Sequence, residues 1–274
     1  MNIAVLGATG NIGRPLVEIL AKEGHAVRAA TRSAEKPLPT GVARVHSSSV
    51  GELVKGAEKL FLLAPPVAGI DVEDEAIAAA KRAGVKHVVK LSTIGASGDT
   101  PIGLGKLHRE NEKKLEASGL AWTMLRPGFF MSNALAWVPQ IRETGKARNP
   151  YGEGVMYPIA PEDIAAVAAL VLTTPGHEGK AYAFTGEVGI TAPQEIETLS
   201  RVLGVHARVV DVPPDEAMAD ARARGATEEI AAGLRDLYVN MRANRAAFKD
   251  DTARKMLGRP LLEFEPWVRA ALAR

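Results

Sequence analysis

A chain of 274 residues, 46% hydrophobic and 24% charged, has enough apolar material for a sizeable core and excludes a disordered composition. Its formal charge of +2 comes from bases interspersed with acids, which excludes the one-sided basic face of a nucleic-acid binder, and the lack of cysteine excludes disulfides, thiolate metal sites and cysteine nucleophiles. No stretch approaches the ~18 uninterrupted apolar residues of a membrane span, and "MNIAVLGATG" lacks the basic and apolar regions of an export signal. The expectation is a cytoplasmic protein, monomer or homodimer, without a nucleic-acid or membrane partner.

In chain order, "NIAVLG" reads as a buried strand ending in glycine. "IGRPLVEILAKEG" follows as a helix with Ile12, Leu16, Ile19 and Leu20 on one face and a stop at Gly24. Then come a strand "AVRAA", a Pro-rich turn, a strand "VARV", a short helix "SVGELVKG", a strand "KLFLLA", a helix "DVEDEAIAAAKRAG" and a strand "HVVKLS". A helix within residues 103–119 and a strand "AWTMLR" complete the first half. This alternation implies parallel strands with right-handed helical crossovers: an α/β Rossmann fold, a doubly wound parallel sheet with helices on both faces.

Past residue 128 the rhythm weakens. The reading there is a helix "FFMSNALAWVPQIRETG", a loop from Lys146 to Pro161, a helix "EDIAAVAALVLTT", a strand "KAYAFTG", a helix "PQEIETLSRVLG", a strand "ARVVDV" and Ala/Arg-rich helices. We therefore divide the chain into a dinucleotide-binding core, residues 1–128, and a smaller C-terminal α/β substrate region, residues 129–274.

The strongest chemical signal is "VLGATGNIG". Gly7, Gly10 and Gly13 stand between the first strand and first helix, where glycines allow a tight turn and a pyrophosphate can approach amides at a helix N-terminus. The turn Gly7, Thr9, Gly10, Asn11, Ile12 and Gly13 is the expected cofactor cradle; a purely structural glycine turn is the alternative. After the second strand the chain reads "VRAATRSAEK", with no acid to take a ribose 2′-hydroxyl, as an NAD site would have. Arg32, flanked by Thr31 and Ser33, offers a planar cation suited to a 2′-phosphate, which favours NADP(H) over NAD(H). The alternative is an ordinary solvated arginine.

"GATGNIG", "VRAATRS", "KLFLLAPP", "KLSTIGA" and "EASGLAWTMLRPGFFMSN", in this order, resemble the NmrA-like group of atypical short-chain dehydrogenases. That group includes type 2 NAD(P)H:quinone oxidoreductases and a triphenylmethane-dye reductase. The resemblance implies that Ala64 and Pro65 border the cofactor, that Ser92 and Thr93 lie near the nicotinamide, and that Pro127, Gly128 and Phe129 close over it. It also implies an acid near the adenine after the third strand, where this chain has Ser47, Ser48 and Ser49.

A second departure bears on chemistry. Catalytically standard members carry a Tyr and a Lys four apart on the helix preceding the sixth strand; counting back from Glu112 puts Leu104 in the Tyr place and His108 in the Lys place. An ordinary ketone needs a positioned acid as its alkoxide forms, and Leu104 cannot supply one. A quinone or cationic dye gives a delocalised or neutral product and needs orientation more than acid catalysis.

Candidate catalytic residues are therefore His108, Ser92 and Thr93. His108 shares a helix face with Glu112, which would raise its basicity; either it meets the substrate or the nicotinamide ribose, or it is simply exposed. Ser92 and Thr93 serve chemistry or only satisfy the backbone. Phe130, Met131 and Trp137, beside Phe129, line an aromatic acceptor pocket or belong to the core. The remaining histidines show no ligand spacing, so no metal site is expected. The expected function is NADPH-dependent hydride transfer to a small conjugated acceptor such as a quinone or dye. A non-catalytic nucleotide sensor acting on a protein partner is the alternative, and a sugar-nucleotide or lactone-modifying enzyme is disfavoured by Leu104.

Overall fold

A computed structural model describes residues 1–32, 35–64 and 70–273. The first half runs β1 (Asn2–Val5), α1 (Gly13–Lys22), β2 (Ala26–Thr31), β3 (Ala43–His46), α2 (Val50–Val54), β4 (Lys59–Leu62), α3 (Ile70–Arg82), β5 (His87–Leu91), α4 (Gly105–Ala117) and β6 (Ala121–Pro127). The second runs α5 (Trp137–Thr144), β7 (Lys146–Asn149), β8 (Val155–Met156), α6 (Pro161–Thr173), β9 (Lys180–Phe184), β10 (Ile190–Thr191), α7 (Ala192–Leu203), β11 (Arg208–Asp211), α8 (Pro214–Ala223), α9 (Glu228–Arg242), α10 (Thr252–Leu257) and α11 (Phe264–Leu272).

The chain divides into two compact units that are discontinuous in sequence. One comprises Met1–Thr93, Leu107–Arg126 and Pro161–Tyr182; the other Ile94–Lys106, Pro127–Ala160 and the chain from Ala183 onward. The division thus differs from a single cut at residue 128 at two places, the segment Ile94–Lys106, which falls in the second unit, and the helix α6, which falls in the first. Its residues Ile164, Ala165, Val167, Ala168, Val171 and Leu172 are all buried, so it is apolar almost all round, and it packs against α1 in the first unit.

The sheet has the strand order β3-β2-β1-β4-β5-β6-β9, and every pair from β3 to β6 is parallel; Val5, for example, lies opposite Ala29 and Phe61. The central strands read as continuous apolar runs because both their faces are covered: Ile3, Ala4, Val5, Leu60, Phe61, Leu62, Val88 and Val89 are all buried. Order reverses at β1 and β4, whose carboxyl ends feed the Gly7 turn and Ala64. Open α/β sheets take their ligands at this place.

The second unit has its own core. Met131, Trp137, Val138 and Ile141 meet Ile196 and Leu199 of α7, with Met241 and Trp267 closing the cluster. Helix α7 begins at a reciprocal cap in which Thr191 Oγ1 accepts from the Gln194 amide at 3.4 Å and the Thr191 amide donates to Gln194 Oε1 at 2.8 Å.

Two expectations are corrected here. The helix expected over Phe129–Gly145 starts late: Phe130 is extended and bridges Ile159, Met131–Ala136 form a 3-10 turn, and only then does α5 begin. Backbone pairing with Ile159, which no local pattern announces, holds those first residues straight. Residues 146–161 are not all loop either, since β7 pairs in parallel with β11 and β8 pairs antiparallel with β10. Among the described residues no helix is long and apolar enough to cross a membrane.

Candidate functional site

The glycine turn is built by two different constraints. Gly7 has φ +79°, and a Cβ there would come within 2.9 Å of Leu63 O; a Cβ on Gly13 would stand 2.1 Å from Gly7 O. Those two glycines let the turn fold against β4 and let α1 start directly over it. Gly10 is different. It is exposed, and a Cβ on it would meet only Gly7 O, at an ordinary 3.4 Å.

Helix α1 opens from this turn with no side-chain cap and no acid in its first turn. The amides of Asn11 and Ile12 have no backbone acceptor among the described residues. Uncapped N–H groups at a positive helix end, beside an exposed glycine, suit a phosphate anion. The hydroxyls of Thr9 and Thr31 lie 3.2 Å apart, tying the turn to the end of β2, and a cavity of about 150 Å³ opens between Thr9, Arg14 and the Lys36–Pro39 segment.

Arg32, immediately after β2, is exposed and has neither ion pair nor hydrogen bond among the described residues. Arg14, by contrast, is spent on Glu18. Ala64 is buried at the end of β4. Pro65 and Ser33 lie outside the described residues.

At the carboxyl end of β5 the first unit holds a buried polar network. Lys90 is fully buried on a strand whose every residue is buried, and its Nζ donates to Glu73 Oε1 of α3 at 2.5 Å. Two residues on, and so on the same face of the strand, Ser92 is buried, with its amide donating to Leu125 O. Its Oγ has no partner in full hydrogen-bond geometry, yet lies close enough to Glu112 to favour the ionised carboxylate.

Glu112 itself is fully buried and accepts two bonds from Arg126, at 2.8 and 2.6 Å, and one from Arg109 at 3.2 Å. Burial alone would raise its pKa, but Arg126, Ser92 and Arg109 together outweigh burial and hold it below the usual range.

His108 is half-buried one helical turn from Glu112. Glu112 does raise its basicity, as expected, but burial and then the nearby Lys90 ammonium outweigh that and push His108 down to about 4. It is a neutral imidazole at neutral pH. Thr93 is half-buried at the strand end.

In the second unit Leu104 is packed against α9, its Cδ2 lying 2.8 Å from where a Cβ on Gly233 would be. Pro127 is buried, and the Gly128 amide donates to Phe184 O at 2.9 Å. Phe129 and Phe130 are half-buried; Met131 and Trp137 lie in the core, with the Trp137 indole N–H donating to Arg148 O at 2.9 Å. Trp137 and Met131 thus both contribute to the core of this unit. The Phe129 ring meets Tyr151 edge-on at 5.9 Å, and Tyr151 in turn meets Trp137 at 6.2 Å and Tyr238 at 5.2 Å.

Residues 7–175, which begin at the first glycine of the turn, match the family described as NAD(P)H-binding. The chain belongs to the NAD(P)H-binding family. This NAD(P)H-binding chain is 35% identical to the NAD(P)H azoreductase of Xenophilus azovorans, covering 99% of this chain and 98% of that one. It is 36% identical to the (4-alkanoyl-5-oxo-2,5-dihydrofuran-3-yl)methyl phosphate reductase of Streptomyces griseus subsp. griseus, covering 97% and 96%. The structure of the NADPH-dependent quinone oxidoreductase of Escherichia coli in complex with NADPH superposes over 100% of both chains with a TM-score of 0.83 at 28% identity.

Sequence reasoning passed over Lys90, Glu73 and Glu195, although each leaves a trace. Lys90 interrupts the apolar run "HVVKLS", Glu73 shares a helical stripe with Ala76, Ile77 and Ala80, and Glu195 shares one with Ala192, Ile196 and Leu199. A charge on an apolar stripe is the signal.

Proposed function

We propose that the protein is an NADPH-dependent reductase that transfers hydride to a quinone, an azo dye or a similar conjugated electrophile. The observation that carries this reading is the pair at the catalytic positions: an apolar Leu104 packed on α9, and a His108 held neutral by burial and by Lys90. Neither can protonate an alkoxide at neutral pH. The azo, quinone and dihydrofuranone names of the relatives fit an acceptor whose own conjugation takes up the incoming charge.

The turn fits a dinucleotide. Gly10 and the amides of Asn11 and Ile12 would face the pyrophosphate, with Gly7, Thr9 and Gly13 shaping the cradle and Thr31 bracing it. Arg32, unpaired and just past β2, would take the 2′-phosphate through charge-assisted bonds. Ala64, Pro65, Ser92, Thr93, Pro127, Gly128 and Phe129 would border the nicotinamide, and Phe130 and Met131 are proposed toward the acceptor. When bound, the reduced nicotinamide supplies a hydride. His108 would orient the acceptor through one ring nitrogen, and the Glu112–Arg126 pair fixes the face of α4 from which it projects.

Full-length protein mixed with NADPH and a panel of quinones and azo dyes should oxidise NADPH well above the uncatalysed rate, while an unactivated aliphatic ketone should not be reduced. Comparable turnover of the ketone, or none of any conjugated acceptor, would overturn the reading. In the second case, tight NADPH binding without turnover would return the sensor.

A further inference from the structure

A cavity of about 390 Å³ opens in the second unit, and every residue lining it belongs to that unit. Met131, Pro158 and Leu261 on its lining are buried. Val188 and Leu262, also on its lining, are 58% and 43% exposed, the two most exposed of the large apolar side chains among the described residues. Single exposed apolar groups are ordinary, but two at one cavity of ligand size mark a place where an apolar group is taken out of water.

The charges around the cavity are engaged in building it. Glu187 pairs with Arg254 of α10, and its other oxygen accepts the Leu261 amide at 2.7 Å, which fastens the Leu261–Leu262 wall. Glu265 is paired with Arg201 and Arg269. Glu263, the remaining acid of the lining, is exposed, so an anion entering here would meet carboxylates and an arginine already paired. Helix α7 contributes only neutral groups, Gln194 and Thr198 one turn apart, and the Gln194 carbonyl oxygen is held by the Thr191 amide.

We propose that this cavity binds the apolar side chain of the acceptor, so that the preferred substrate is a quinone carrying an alkyl or isoprenoid substituent and no negative charge. The inference rests on the reductase reading, which turns Phe130 and Met131 toward the acceptor. Met131 is also part of the cavity lining, and its amide holds it in place by donating to Ile159 O at 3.0 Å. A side chain bound here is unchanged through hydride transfer. It therefore favours ground state and transition state alike, lowering KM and leaving kcat as it was.

The test is a series of benzoquinones with one n-alkyl substituent, from methyl to octyl, turned over with NADPH by the full-length protein. Wild-type KM should fall about two- to fourfold for each added methylene until the cavity is filled, at constant kcat. Val188→Glu and Leu262→Glu replace exposed side chains, so their melting curves should match the wild type while the dependence on chain length flattens; Leu262→Met should keep it. The matching alkyl-1,4-dimethoxybenzenes, which cannot take a hydride, should bind the nucleotide-free protein with the same dependence in calorimetric titration, and lose it in the two glutamate variants. A KM indifferent to chain length, or a dependence unchanged in both glutamate variants, would overturn the assignment of the cavity, while turnover of the methyl compound kept the reductase reading. A wild type that turns over no acceptor at all would sink that reading first, and this one with it.

Discussion

Substituting alanine for Gly10 and, separately, for Gly13 distinguishes a glycine kept for the fold from one kept for a ligand. At Gly13 the new methyl would lie 2.1 Å from Gly7 O and 2.8 Å from Ala8 Cα, both backbone atoms that cannot swing aside. Overpacking of this kind costs about 3 kcal/mol, which in a chain of this size lowers Tm by roughly 6–12 °C. At Gly10 the methyl would touch only Gly7 O at 3.4 Å, and the residue is not in the left-handed region, so alanine fits and the reduced freedom of the unfolded chain favours the fold slightly. The same methyl would project where the pyrophosphate has to approach bare amides. A loss of about 1.4–3 kcal/mol is a rise of ten- to a hundredfold in Kd for NADPH. Melting curves and fluorescence titration with NADPH measure both quantities on each variant. Gly10→Ala protein that melts like the wild type and binds NADPH equally well would refute the argument that this turn cradles the cofactor.

Arg32→Ala should weaken NADPH binding by about ten- to a hundredfold, the worth of a charge-assisted phosphate contact, and leave NADH binding nearly unchanged; parallel titrations decide it, and equal losses would remove Arg32 from the site. Lys90→Met alone leaves Glu73 buried without its partner and should cost about 3–5 kcal/mol, whereas Glu73→Leu with Lys90→Met should come back close to wild-type stability. In the double variant the His108 resonance should titrate higher than about 4, because the Lys90 charge that opposes its protonation is gone; an unmoved titration would mean that burial alone sets it. His87 and His108 are both held down to about 4 from 6.5, so the stability they contribute is complete above pH 6.5 and is lost as pH falls toward 4. Glu195, raised to about 8, acts in the opposite sense over that range. The comparison is therefore between wild type and His87→Gln or His108→Gln, each of which should lose roughly 1–2 kcal/mol less between pH 7 and pH 5 in urea unfolding.

The nucleotide-binding half was legible because its signals are local. Strand runs buried on both faces, a helix stripe such as Leu16 and Leu20, and three glycines between strand and helix are each contained in a window shorter than a dozen residues. What escaped depends on residues far apart in the chain. Phe130 is pulled straight by Ile159, β7 finds its partner in β11 some sixty residues on, and α6 leaves the C-terminal half to pack on α1. The candidate site follows the same rule. Gly7, Gly13 and Arg32 could be read where they stand, but that His108 is neutral depends on Lys90, and that Lys90 is tolerated depends on Glu73, seventeen residues earlier.

That dependence bears on how a proton reaches the acceptor. In catalytically standard relatives the lysine stands on the helix and makes the tyrosine a better acid; here the lysine of the first unit comes from β5, is paired with a carboxylate and lies beside the imidazole. A second positive charge next to Lys90 is disfavoured, and a neutral imidazole that gave up its N–H would become an anion, which is costlier still. His108 can therefore accept or donate a hydrogen bond but cannot be the acid at neutral pH. Either the acceptor needs no proton at the moment of hydride transfer, as a cationic dye does not, or the proton comes from a group other than His108. The two routes separate on the pH axis. Turnover of a cationic dye should stay level where turnover of a quinone declines, and profiles of the same shape for both acceptors would leave the reaction without a proton supplied by the protein.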